Sequence, residues 1–172
     1  QVDGVWQGTC FPFRRGLLSG VIRVSFDGEN GLVVGMSDRG WPALGTKPFG
    51  LQRLTWTGAT PFEILAVRAR KDGFRVEFTR PADPTTLARL DSWAWESWTY
   101  ELHSDYGSDP FALQVPVTRR ATPSADGTAV DLVVDGLREG YVHALTAAGV
   151  RDAAGSPLVH AQAFTTLLRR PR

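Results

Sequence analysis

The chain has 172 residues, 42% of them hydrophobic, which supplies apolar material for one ordinary domain or two small ones and excludes bulk disorder. Its 19 basic and 18 acidic side chains leave a formal net charge of +1, so no overall field draws it to nucleic acid or anionic lipid. No apolar run approaches the ~20 residues of a membrane-spanning helix, and a single cysteine, Cys10, excludes an intrachain disulfide, a paired-cysteine zinc site and a CxxCH haem attachment.

Gln1, with neither an initiator Met nor a signal peptide, points to a processed chain or a fragment. Residues 1–20 hold Gly4, Gly8, Pro12, Gly16 and Gly20 without a sustained period and read as loop, anchored by Trp6, Phe11 and Phe13. Cys10 within them reads as a small buried apolar group rather than a reactive thiol. Ile22, Val24 and Phe26 then alternate, Asp27-Gly28 turns the chain, and Leu32, Val34 and Met36 alternate again, the pattern of a β-hairpin. Asp38-Arg39-Gly40-Trp41-Pro42 opens a glycine- and proline-rich loop. Leu51–Thr57 reads as a third strand with Leu54 and Trp56 on one face. Three short strands cannot bury a sheet from both sides, so residues 1–58 read as one blade of a larger array.

Residues 59–172 read differently. Leu65, Val67 and Ala69 alternate with Arg68 and Arg70, Asp72-Gly73 turns, and Phe74, Val76 and Phe78 alternate with Arg75, Glu77 and Thr79, which predicts a second hairpin with one buried face. Pro81–Leu90 is polar and could hold one helical turn. In Asp91–Leu102 the aromatic residues fall on both faces of an extended chain, Trp93 and Trp95 one way, Trp98 and Tyr100 the other. Strands follow at Leu113–Val117, at Val130, Leu132 and Val134 after Asp126-Gly127, at Tyr141, His143 and Leu145, and at His160–Leu167. Some seven strands with turns every 8–12 residues describe a β-sandwich, and the fold class is all-β: a short blade-like antiparallel sheet followed by an Ig-like sandwich.

Two resemblances rest on these stretches. FRVEFTRPADPTTL, DGTAVDLVVDGLREGYVHALTAAGVRDAAGSPL and AFTT are similar to a bacterial Ig-like domain across residues 61–168. CFPFRRGLLSGVIRVSF, GLVVGMSDRGWPALGTKPFGLQRLTWTGATPFEI, YGS and DGLREGYVHAL resemble the C-terminal end of large secreted bacterial proteins that carry a sugar-dehydrogenase-like β-propeller, of the pyrroloquinoline-quinone or sorbosone type. The resemblance implies a final propeller blade plus the sandwich after it, and an extracytoplasmic (periplasmic or secreted) protein. It does not bring the cofactor site with it, because one blade cannot form a pocket built by several.

The candidate sites each have a plainer structural alternative. Arg39 and Trp41 could point toward a channel in a complete propeller, or pair with a carboxylate and cover the blade edge. His103, His143 and His160 show no paired-ligand spacing, and His143 shares a strand face with Tyr141 and Leu145, so a hydrogen-bonded, half-buried histidine is expected in place of a metal ligand. Trp93, Trp95, Trp98, Tyr100 and Tyr106 divide between core, protein interface and a platform for sugar rings. Carboxylates lie near them, but a glycosidase needs two held about 5–9 Å apart across a cleft. No GxSxG, P-loop, HExxH or Rossmann fingerprint is present. The expected function is therefore a non-catalytic accessory or docking subunit of a larger protein assembly, of which a membrane electron-transfer complex is one form. It is expected to need no cofactor, nucleic acid or membrane span of its own. A fragment of a propeller dehydrogenase and a carbohydrate-binding module are the alternatives.

Overall fold

The alternation that marks the hairpins becomes sheet almost throughout. The computed structural model describes residues 1–40 and 42–172, and they are nearly all-β, 45% strand and 5% helix. The chain forms two compact units: Phe13–Ala59, and Gln1–Pro12 together with Thr60–Arg172. The sequence draws one boundary near residue 58; the fold adds a second between Pro12 and Phe13.

The larger unit is sandwich-like. Strands β1 (Thr9–Cys10), β12 (Gln162–Leu167), β11 (Tyr141–Thr146), β7 (Ala94–Thr99) and β8 (Phe111–Gln114) form a five-stranded sheet in that spatial order. Strands β5 (Ile64–Arg70), β6 (Gly73–Phe78), β10 (Ala129–Asp135) and β9 (Val117–Pro123) form a four-stranded one. Every pairing is antiparallel. One core lies between the sheets, with Phe74, Val76, Val130 and Leu132 from the four-stranded sheet and Trp95, Leu145, Ala163 and Leu167 from the five-stranded one. Helix α1 (Pro84–Ala88) adds Leu87 to it. Asp83 caps this short helix by accepting the Thr85 N–H at 2.9 Å, and Pro84 pre-sets the first turn.

Several details of this unit depart from the sequence pattern, and the strand read at Leu113–Val117 is instead the junction between β8, which ends at Gln114, and β9, which begins at Val117. In β5 the register shifts between Ile64 and Ala66, which leaves Leu65 as the extra residue. Ile64 and Val67 are buried and Leu65 is exposed, so the face read as Leu65, Val67 and Ala69 is broken by a bulge. The hairpin turn is Lys71-Asp72, and Gly73 already belongs to β6. A Cβ at Gly73 would run into the Leu132 carbonyl, so close backbone approach accounts for this glycine. Residues 9 and 10 are strand rather than loop: Thr9 and Cys10 pair with Thr165 and Phe164, no local period could signal a partner that distant, and on this edge strand Cys10 is exposed, not buried. The Thr9 hydroxyl also donates to the Val67 carbonyl at 3.2 Å.

The smaller unit is a three-stranded antiparallel sheet in the order β2 (Val21–Phe26), β3 (Gly31–Ser37) and β4 (Phe49–Thr55). Asp27 pins its first turn by accepting the Glu29 N–H (2.9 Å), the Gly31 N–H (3.1 Å) and Arg53 Nε (2.5 Å). The Glu29 N–H first, then Arg53, hold the Asp27 carboxyl below the usual range. Phe26, Leu32 and Leu54 lie in one cross-strand row and Val24, Val34 and Gln52 in the next, on the same face. Val34 and Met36 are buried there. Leu18 lies over that face: its N–H donates to Gln52 Oε1 at 2.9 Å, and a Cβ at Gly50 would stand 3.1 Å from Leu18 Cδ1. Trp56, read as part of this strand, follows its end; its N–H donates to the Asn30 carbonyl and its indole N–H to Ala59 O.

Candidate functional site

Strand β7 sorts the aromatic cluster by the period of two. Trp93, which precedes the strand, and Trp95 are buried; their indole N–H groups donate to Leu87 O (3.0 Å) and Thr118 Oγ1 (2.9 Å), and Trp95 stacks on Phe74 with ring centroids 5.2 Å apart. These two belong to the sandwich core, since a buried indole with its donor satisfied leaves no face for a ligand. Trp98 is half-buried on the opposite face, Tyr100 follows the strand with 55% exposure, and Tyr106 lies exposed in the loop before β8. The five aromatics therefore do not form one platform.

Trp6 and Phe11 belong to the larger unit and Phe13 to the smaller one; all three are exposed. Arg39 is exposed in the turn after β3, where its backbone N–H donates to Ser37 Oγ at 3.0 Å. Trp41 lies outside the described residues. His143 is fully buried, His103 is exposed, and His160 Nδ1 meets Glu63 Oε1 at 2.7 Å. Among the described residues no group of three or more His, Cys, Asp or Glu side chains could hold a metal ion.

The surface that stands out is the small sheet. All six residues of β2 are exposed, among them Ile22 (57%), Val24 (55%) and Phe26 (82%). On the other face of the sheet Phe49 and Leu51 are each 74% exposed, because Leu51 pairs with Gly35 and Phe49 with Ser37, across from the row that holds Met36. Strands β2 and β4 are both edges of this three-stranded sheet. Isolated exposed apolar residues are ordinary, whereas here several lie together on a sheet with two open edges and only one face partly covered, by Leu18 over Val34 and Met36. Among the described residues, Arg53 alone of the basic residues in 13–59 is engaged by carboxylates, Asp27 and Glu29 (2.9 Å). Arg14, Arg15, Arg23, Arg39 and Lys47 have no carboxylate within ion-pair distance among the described residues. The sequence places Ile22, Val24 and Phe26 on one strand and Leu51 at the start of another, but it leaves Phe49 out of that strand and gives no sign of the cations without a carboxylate partner. The alternation Phe49-Gly50-Leu51 carried the signal for Phe49, half hidden by the glycine.

Comparison of the chain with protein-family models, with curated proteins and with solved structures gives no match.

Proposed function

We propose that this chain is a non-catalytic docking module that binds a larger protein or assembly through the sheet of residues 13–59. The observation that supports it is the exposure of Ile22, Val24 and Phe26 on one edge and of Phe49 and Leu51 on the other face. A lone three-stranded sheet leaves such groups in water, and burying each would stabilise a complex by about 1.5–3 kcal/mol before the costs of association. The reading extends to an extracytoplasmic assembly, for which the propeller-dehydrogenase resemblance is the sole support.

The same observation favours a second reading. A blade separated from its neighbours would show these exposed faces, and the partner would then be further blades of one longer polypeptide carrying any cofactor. Sugar binding would rest on Trp98, Tyr100 and Tyr106, since Trp93 and Trp95 lie in the core.

Cross-linking in native extract tests the docking reading. A partner retained by the wild-type chain should be lost from the Phe26→Asp/Leu51→Asp double variant and kept by Tyr100→Ala/Tyr106→Ala. Retention by the first and loss by the second would reject docking through this sheet. The mass of the native polypeptide separates the two partners: a much longer chain places them in one molecule.

A further inference from the structure

We infer that the docked partner adds an extended strand to the edge of β2, and that this strand carries acidic side chains on the face shared with Arg23 and apolar ones on the face shared with Val24 and Phe26. The inference rests on the docking reading and specifies its chemistry.

The backbone supplies the first argument. The Asp27 N–H donates to the Gly31 carbonyl at 3.2 Å, which fixes the phase of the β2–β3 ladder. By antiparallel alternation Ser25 and Arg23 then bond to Val33 and Gly35, while the N–H and C=O groups of Val24 and Phe26 turn outward. The strand's own side chains occupy two carbonyls of this segment: Arg23 Nη1 donates to Ile22 O at 2.8 Å and Ser25 Oγ to Phe26 O at 3.3 Å. Both are local, exposed bonds that the N–H groups of an added strand can replace.

Comparison of the edges supplies the second. The β9 edge carries Arg119, Arg120 and Pro123, and β5 carries Arg68 and Arg70 and has its Val67 carbonyl taken by Thr9. Charge, proline and coverage are the usual guards against strand addition. Strands β2 and β4 each have no proline and one charge, but in β4 Arg53 is held by Asp27 and Glu29 and Gln52 by the Leu18 N–H. In β2, VIRVSF, Arg23 meets no carboxylate among the described residues, and the register shift lies between Val21 and Arg23, leaving 23–26 regular. Its composition also favours an extended conformation.

Charge selects the occupant. Residues 13–59 hold six basic and three acidic side chains, and two of those acids are already bound to Arg53. A second copy of this sheet would bring like charges together, whereas an acidic strand complements them. An anionic lipid surface would match the cations too, but hydrocarbon offers no acceptor for the outward N–H groups of Val24 and Phe26. A strand satisfies both requirements.

The test uses the full chain and two synthetic peptides of about ten residues, the upper end of ordinary strand lengths. One alternates Val with Glu, the other Val with Lys. The Glu peptide is expected to bind, shifting the NMR amide signals of Val24 and Phe26 and slowing their exchange. The Lys peptide is expected to bind at least about tenfold more weakly, with the gap narrowing as salt is added. Val24→Pro should weaken the Glu peptide by about tenfold or more and leave the sheet intact, because the Val24 N–H is not part of the β2–β3 ladder. Arg23→Glu, an exposed change that keeps the backbone, should reverse the preference between the peptides. Equal binding of the two peptides, or undiminished binding by Val24→Pro, overturns the inference. So does binding to phosphatidylglycerol-containing vesicles with no binding of either peptide. A cross-linked partner lost from Phe26→Asp/Leu51→Asp but kept by Val24→Pro would overturn strand addition while leaving the docking reading in place.

Discussion

His143 shows how one core position ties stability to pH. Its Nδ1–H donates to the Tyr141 carbonyl at 3.1 Å, and its Nε2 accepts the Arg138 backbone N–H at 3.3 Å, an arrangement that fits only the neutral ring. Burial pushes its pKa down from 6.5 to about 4; the bond to Tyr141 opposes this, and the charges of Arg138 and Arg170 add to it. The unfolded chain therefore takes up this proton near pH 6.5 and the folded chain only near 4. The stability of the neutral ring is complete above pH 6.5 and is lost as the pH falls toward 4, by about 3 kcal/mol at roughly 1.4 kcal/mol per unit. Urea unfolding at pH 7 and pH 4 measures it. The drop should shrink by about that amount in His143→Gln, which cannot protonate, and an unchanged drop would assign acid sensitivity to the carboxylates instead. Arg138 braces the same region: its guanidinium lies 3.7 Å from the Tyr141 ring centroid and donates to Ser97 O and to Ala112 O, tying β8 to β7.

At the scale of the element, β7 separates two kinds of tryptophan. Trp95 fills the space between the sheets against Phe74, so Trp95→Ala should lower stability by about 3–5 kcal/mol. Trp98, half-buried, has an indole N–H with no hydrogen-bond partner among the described residues. Trp98→Phe deletes that donor and keeps an aromatic ring, so stability should change by less than about 1 kcal/mol. Thermal unfolding of the pair checks both, and equal losses would contradict the sorting by face. Local spacing made this much legible: the sides of β7, the β6 face of Phe74, Val76 and Phe78, and the β2–β3 hairpin all follow a period of two. Leu65 was misread because a bulge changes phase without changing composition. Residues 9–10 were missed because pairing with residues 164–165 leaves no local trace. The apolar exposure of the small sheet was half visible. An exposed apolar strand and a buried one share a pattern, and only the missing cover over Ile22, Val24 and Phe26 distinguishes them.

For the whole molecule the two units differ in how much they bury. The sandwich has a contiguous core drawn from both sheets and α1, whereas the small sheet buries only Val34 and Met36 of its strand side chains. Backbone ordering costs roughly 1–2 kcal/mol per residue in either unit. In the chain without a partner, amides of residues 21–55 should exchange well before those of β6, β10 and β11, as hydrogen-exchange mass spectrometry would show. Equal protection in a proven monomer would remove the basis for docking. The larger unit is also discontinuous: its first strand and its other strands flank the inserted residues 13–59. Thr9 and Cys10 pair with Thr165 and Phe164, and the Gln7 side chain receives the N–H groups of Leu168 and Arg169. During synthesis from the N-terminus these early residues must wait, unpaired, until the ribosome has delivered β12. The sheet thus closes last around a strand made well before its partner, a high-contact-order step that leaves the growing chain open to capture by chaperones.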